Sequence, residues 1–265
     1  MAVADLELIW NLLVAPFHIL LIVNLQNSSL HHHTHWPTFN KKILNNLYEL
    51  LLSAAAGLKP QTYRYVHTVH HKYVNDLPVN GKSKDGISVF EHGIDGQVEN
   101  VWKFCFRNAI IGWSAPWKYI LYQAWQSERP KTPMMNFLQW RREQFAIVVF
   151  VLAITTINFA YGLWLLFGIY FVAHFINYSW HYGEHYGSYH YRGDTTQDSV
   201  GIYSKWYNLL CFNAGYHQEH HHRQGVHWTK QPEITELLPP TRVIVNGMHI
   251  TNAPWTQDFR LLFKK

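Results

Sequence analysis

Cysteine is almost absent from this 265-residue chain: Cys105 and Cys211 are the two, far apart and in no CxxC pair. That excludes a disulfide framework and a thiolate metal site. It also leaves the chain without the thiolates an iron–sulfur or rubredoxin-type electron centre needs. Charge is sparse as well. The net charge is +5, from 22 Lys+Arg against 17 Asp+Glu, and the basic residues form no stripe interleaved with aromatics. A nucleic-acid partner is therefore not expected. The mild basic excess fits the cytoplasmic loops of a membrane protein, or attraction to anionic headgroups. No HExxH motif is present, so the general base of a zinc hydrolase is missing. There is no repeat of solenoid period and no low-complexity tract.

What charge there is avoids certain stretches. Residues 6–25 hold one acid, Glu7, and no Lys or Arg. At ~1.5 Å per residue, that length can cross a bilayer as a helix. A cleavable signal peptide is disfavoured by the lack of a basic leader and a small-residue cleavage site, and Pro16 would only kink the helix. From Phe145 to Ile176 there is no Asp, Glu, Lys or Arg at all. This run predicts either a hairpin turning near Asn158–Gly162 or one long tilted helix. Arg141, Arg142 and Arg192 flank it, as expected for a hairpin that leaves and returns on the cytoplasmic side. Residues 43–58 predict a shorter buried or re-entrant helix. Residues 101–125 predict an interfacial helix pair broken at Pro116. Residues 75–100 and 225–265 read as polar loops and a C-terminal cap. The 12 Trp, 16 Tyr and 15 Phe suit membrane interfaces. The fold class expected is all-α: one integral membrane helical domain over residues 1–265, with a histidine-rich di-metal cap on the cytoplasmic side.

Histidine is abundant, with 19 residues, most of them in four clusters. These are HHHTH (31–35), HTVHH (67–71), NYSWHYGEHYG (177–187) and HQEHH (217–221). His31 and His35 are four apart and share a helix face, with His32 and His33 as neighbours that could replace His31. In HxxHH, three imidazoles line one side of a turn. Random placement would give roughly 0.1 HxxHH matches in such a chain, against the two found. Imidazole suits Fe, Zn and Cu. A structural zinc takes only about four ligands, so this many well-spaced histidines point to a pair of metals. His185 stands four residues after His181 and is the alternative for that position. His190, His222 and His227 read as supporting or surface residues. His18 and His174, within apolar helices, read as buried, hydrogen-bonded side chains, although an intramembrane ionisable group can be functional. Asp76, Glu184, Glu219, Asp194 and Asp198 are the nearby acids, either backing ligands or merely solvated.

In these motifs and their order the chain resembles the membrane fatty acid desaturase and hydroxylase superfamily, which includes alkane monooxygenases, carotenoid ketolases and some lipid decarboxylases. The match spans about Leu30 to Trp228. The resemblance implies two iron ions held by His31 and His35, by His67, His70 and His71, by His181, and by His217, His220 and His221. It places Asn177 near an iron-bound water. NYSWHYG is similar to a stretch of the alkane hydroxylases, whereas the HxxHH second box is desaturase-like. The implied function is O2-dependent oxidation of an unactivated C–H bond in a fatty acyl or hydrocarbon chain, by desaturation or hydroxylation. Decarboxylation and ketolation are the alternatives within the superfamily. A membrane metal-binding or transport protein is the alternative from another class. The chain departs from a typical member in having one apparent span before the first box and no fused cytochrome b5-like segment. Electrons would then come from a separate donor, such as a ferredoxin or rubredoxin with its reductase.

Overall fold

A computed structural model of the protein describes residues 2–75, 84–90, 98–125, 136–186, 188 and 195–238. The sequence-predicted positions Asp76, His190 and Asp194, and the C-terminal stretch from 239 onward, lie outside the described residues. The helices are α1 (Ala2–Asn24), α2 (His31–His35), α3 (Lys42–Ala56), α4 (Pro60–Tyr73), α5 (Val101–Trp125) and α6 (Phe137–Ile157). After these come α7 (Phe159–Trp164), α8 (Tyr170–His185), α9 (Lys205–Leu210), α10 (His217–His222) and α11 (Gln231–Ile234). Wider π-turns at Leu25–Leu30 and Leu165–Ile169 join α1 to α2 and α7 to α8. Among the described residues there is no strand, only an isolated bridge between Phe90 and Val98.

The chain divides into two compact units, each assembled from separated stretches. The first comprises Met1–Leu30, Thr38–Tyr63 and Ala109–Asn177; the second comprises His31–Pro37, Arg64–Asn108 and Tyr178–Lys265.

The first unit is apolar on its outside. Leu13, Phe17 and Leu21 of α1, and Phe145, Ile157 and Phe167 farther along, are exposed. Two continuous helical stretches, Leu8–His35 and Phe159–His185, are long and apolar enough to cross a membrane by length and composition. Such faces are compatible with membrane association. The charge-free run is broken at Asn158, so it is not one long helix. Asn158 adopts an extended backbone, and its side chain accepts the Tyr161 N–H at 2.9 Å to start α7. The α7 helix returns closely along α6, since a Cβ at Gly162 would lie 2.5 Å from Thr155 Cα. By contrast, α5 runs unbroken past Pro116. The expected break there does not occur, because a proline deletes one N–H and leaves the rest of the ladder intact.

Polar residues fasten the inner faces of this unit. The α3 helix packs along α6. At one end of that pair Gln61 donates from Nε2 to Glu49 Oε2 (3.2 Å), and its backbone N–H donates to Glu143 Oε2 (3.0 Å). Lys59 Nζ sits 4.0 Å above the Trp140 ring, a cation–π contact. Burial pushes Lys59 down to about 7, against an opposing pull from the Glu143 carboxylate. The α3 helix stops at Gly57, whose φ of 64° is left-handed. The Tyr170 ring lies directly on this glycine, so that a Cβ there would meet ring carbons at 2.7–2.9 Å. The Tyr170 hydroxyl donates to Ala54 O at 2.8 Å.

Replacing Gly57 by alanine combines an unfavourable φ with that clash. Gly57→Ala should destabilise the protein by more than about 1 kcal/mol and lower the thermal midpoint in detergent by several degrees. An unchanged midpoint would mean that Tyr170 does not close over this turn.

Candidate metal centre

The second unit gathers histidines from four segments at its centre. Helix α2 continues from the π-turn, so His31 and His35 fall on one face. Helix α4 supplies His67, His70 and His71, the end of α8 supplies His181 and His185, and α10 supplies His217, His220 and His221.

Two groups result. His31, His35, His67, His71 and His220 bring their ligand nitrogens within 4.8 Å of one another, and so do His70, His185 and His221. His217 joins the second group through its Nε2, 3.1 Å from His185 Nε2. In the first group the Nε2 atoms approach in a chain. The distances are 2.9 Å for His31–His220, 3.0 Å for His220–His71, 3.0 Å for His71–His67 and 2.8 Å for His67–His35.

Hydrogen bonds alone do not account for that chain. An imidazole nitrogen carries either one in-plane hydrogen or one lone pair. Five such atoms can make at most two N–H···N pairs, whereas four short approaches are present. A cation shared by lone pairs accounts for all four. Donors ~2.1 Å from one ion subtend about 3.0 Å at a right angle and about 3.4 Å at the tetrahedral angle. The observed 2.8–3.0 Å is of the order expected for nitrogens gathered on one ion. In the second group, His70 Nε2 and His221 Nε2 are buried without a hydrogen-bond partner among the described residues. Such atoms cost free energy unless something binds them. Both groups therefore fit metal ions.

The opposite ring nitrogens are backed. Asp85 Oδ2 lies 2.9 Å from His70 Nδ1 and accepts its proton, leaving the Nε2 lone pair free for a metal. Asp85 is itself held by backbone N–H groups of Asn75 (3.0 Å) and Ile87 (3.1 Å). Burial, the largest single influence, pushes Asp85 up, but His70, His181 and the Ile87 N–H together outweigh it and keep the carboxyl below its ordinary range. His185 Nδ1 donates to the Asp198 carbonyl at 2.8 Å. His221 Nδ1 lies 3.6 Å from the Asp198 carboxylate, and His217 Nδ1 lies 3.7 Å from Glu184. The amide of Gln231 stands 3.2 Å from His220 Nδ1. Burial, reinforced by neighbouring histidines, holds His67, His71, His217, His220 and His221 well below their ordinary range. They are neutral at physiological pH, the form that binds a metal.

Eight of the nine histidines singled out from sequence thus stand in or against the two groups. His181 is placed differently. Its Nε2 donates to the Ile87 carbonyl at 2.9 Å, and its ring stacks on Phe104 at 6.0 Å. The nitrogen in the second group comes instead from His185, one turn later. Asn177 lies half-buried on α8 and is grouped with the first unit. Among the acids, Glu184 and Asp198 stand behind histidines, whereas Glu219 accepts from Tyr203 (2.5 Å) and Thr235 (2.7 Å). Asp85 was missed from sequence because no spacing rule ties it to HTVHH. His32 donates to the Phe212 carbonyl at 2.8 Å and stacks on Trp228, a packing role.

The Fatty acid desaturase family model matches residues 8–244 of the chain. No curated protein and no solved structure gives a match.

Metal-free protein carries a pH signature. His67, His71, His217, His220 and His221 have folded values depressed below the ordinary ~6.5, so below that pH the unfolded chain binds more protons at these groups than the folded one. Their neutral form contributes stability in full above about 6.5, and that stability is lost as pH falls. Melts of the metal-free protein should therefore weaken steadily between about pH 7 and pH 5, by up to about 1.4 kcal/mol per pH unit for each histidine. A flat profile would show that these rings are not buried in the neutral state.

Proposed function

The chain belongs to the fatty acid desaturase family, and on that premise we propose that it is an integral-membrane, O2-dependent oxidase that removes hydrogen from an unactivated C–H bond of a fatty acyl or hydrocarbon chain at a pair of iron ions. The observation that carries this reading is the pair of adjoining histidine groups whose ring nitrogens crowd together without enough protons to hydrogen-bond.

Bound iron supplies the reduction of O2 and the oxidising power to break the C–H bond. His31, His35, His67, His71 and His220 hold one ion; His70, His185 and His221, with His217, hold the other. Asp85 holds a proton at Nδ1 of His70, so that its Nε2 faces the metal as a lone pair, and the Glu184 and Asp198 carboxylates stand 3.7 Å and 3.6 Å from Nδ1 of His217 and His221. The reaction takes two electrons and two protons per O2. Desaturation yields an alkene and two waters; hydroxylation yields an alcohol and one water. Family membership favours desaturation. The alkane-hydroxylase-like NYSWHYG segment favours hydroxylation as the second reading. The electrons come from a separate donor of ferredoxin or rubredoxin type with its reductase, and the metal centre faces the cytoplasm.

Purified protein reconstituted with ferrous iron, a reduced donor and an isotopically labelled acyl chain provides the test. The reading predicts O2 consumption and a product that has lost two hydrogens or gained one oxygen by mass spectrometry. No O2 uptake and unchanged lipid would overturn it. The same preparation separates the two α8 histidines. His185→Ala should lose about half of the bound iron, whereas His181→Ala should keep nearly all of it. The reverse result would place the ligand at His181.

A further inference from the structure

Helix α4 ends at Tyr73, and two residues later the fully buried Asn75 takes a left-handed φ of 51°. Glycine, asparagine and aspartate are the residues that tolerate such a φ. The Asn75 backbone N–H donates to Asp85 Oδ2 at 3.0 Å, the same oxygen that accepts the His70 Nδ1 proton at 2.9 Å. The Asn75 side chain reaches a second acceptor. Its Nδ2 donates to the Asp198 carbonyl at 3.0 Å, and that carbonyl also accepts from His185 Nδ1 at 2.8 Å. A carbonyl only accepts, so the amide is oriented with Nδ2 towards it, and His185 carries its proton on Nδ1. The other Nδ2 hydrogen goes to Ser188 Oγ at 3.1 Å. The single Ser188 hydroxyl hydrogen goes to His185 O at 2.5 Å, nearer than Asp198 O at 3.2 Å. The two lone pairs of the Asp198 carbonyl are thereby left to His185 and Asn75.

We propose that Asn75 is a positioning residue for the second histidine group, holding the acceptors behind His70 and His185 in place together. The inference rests on the two-ion reading above and ties one of the two sites to a residue outside every histidine box. His70 comes from α4 and His185 from α8, and their acceptors belong to two further stretches of chain. Nothing in the two helices themselves keeps those acceptors in register. Asn75 does so, with its backbone on one and its side chain on the other. Both rings then carry their protons on Nδ1 and present Nε2 lone pairs to one ion. The first group, His31, His35, His67, His71 and His220, is not what these bonds back. Among residues that suit the turn, asparagine alone supplies an amide donor. Glycine would keep the φ and the backbone N–H but lose both side-chain donations. Aspartate would keep the size and set a carboxylate oxygen against the Asp198 carbonyl oxygen.

Anaerobic titration of the full chain in detergent with ferrous iron provides the test. The wild type should take up two ions. In Asn75→Gly and Asn75→Asp one of the two binding steps should weaken by about tenfold to hundredfold, the usual cost of losing a residue that backs a ligand, while the other step keeps its wild-type affinity. Adding Asn75→Gly to His185→Ala should remove no further iron, because both substitutions act on the same ion. Gly57→Ala, which destabilises the first unit, should leave both steps unchanged. Two unchanged steps in both Asn75 variants would overturn the proposal. So would a parallel weakening of both steps, the mark of a merely structural role, or loss in the double variant of the ion that His185→Ala retains. Uptake of fewer than two ions by the wild type would overturn the two-ion reading instead. One measurement needs no variant: nitrogen-15 spectra of the metal-free wild type should show His70 and His185 protonated at Nδ1, and a proton on Nε2 of His185 would overturn the proposal.

Discussion

Too many imidazole nitrogens meet in the second unit for the protons available to them. The chain of four Nε2 contacts through His31, His220, His71, His67 and His35 can be half satisfied by hydrogen bonds, and a shared cation relieves the remainder. This one excess governs the surroundings. The rings must be neutral, so they must be buried. Once buried, their outer nitrogens need acceptors: Asp85 serves His70 and the Asp198 carbonyl serves His185, while the Glu184 and Asp198 carboxylates stand close to His217 and His221. Those acceptors in turn need donors. The backbone N–H groups that hold Asp85, and the Asn75 amide that donates to Asp198 O at 3.0 Å, are the next layer outward.

The two units solve opposite solvent problems. The first leaves aliphatic and aromatic faces outward and confines its polar groups to inner hydrogen-bonded knots, such as Gln61 with Glu49 and Glu143. The second buries its polar groups around the histidines. Short helices suffice in the second unit because the histidine boxes need only one or two turns to align i and i+4 positions.

Much of this was legible in the sequence. The i, i+4 pair His31/His35 and both HxxHH boxes face the centre as helical spacing requires, and the charge-free run turns at Asn158, where a short polar residue can cap the returning helix. Two features were not legible. The choice between His181 and His185 depends on how the last turn of α8 is rotated, because both lie on the same face. That rotation is set by Ile87 O and Asp198 O, contacts from remote segments. Asp85 was hidden because it lies 15 residues from its partner His70, and no periodicity of the sequence ties the two. Spacing reports which residues can share a face and is silent on which loop folds over it. Pro116 misled in the other direction, since its rule concerns one hydrogen bond and the helix has many.

The central claim is that the chain holds two metal ions ligated almost wholly by histidine. Metal analysis of protein purified without chelators, combined with X-ray absorption spectroscopy at the metal edge, tests it most directly. The account predicts two iron ions per chain with a first shell of nitrogen and oxygen donors and no sulfur. A single tetrahedral zinc per chain, or no bound transition metal in folded protein, would contradict it.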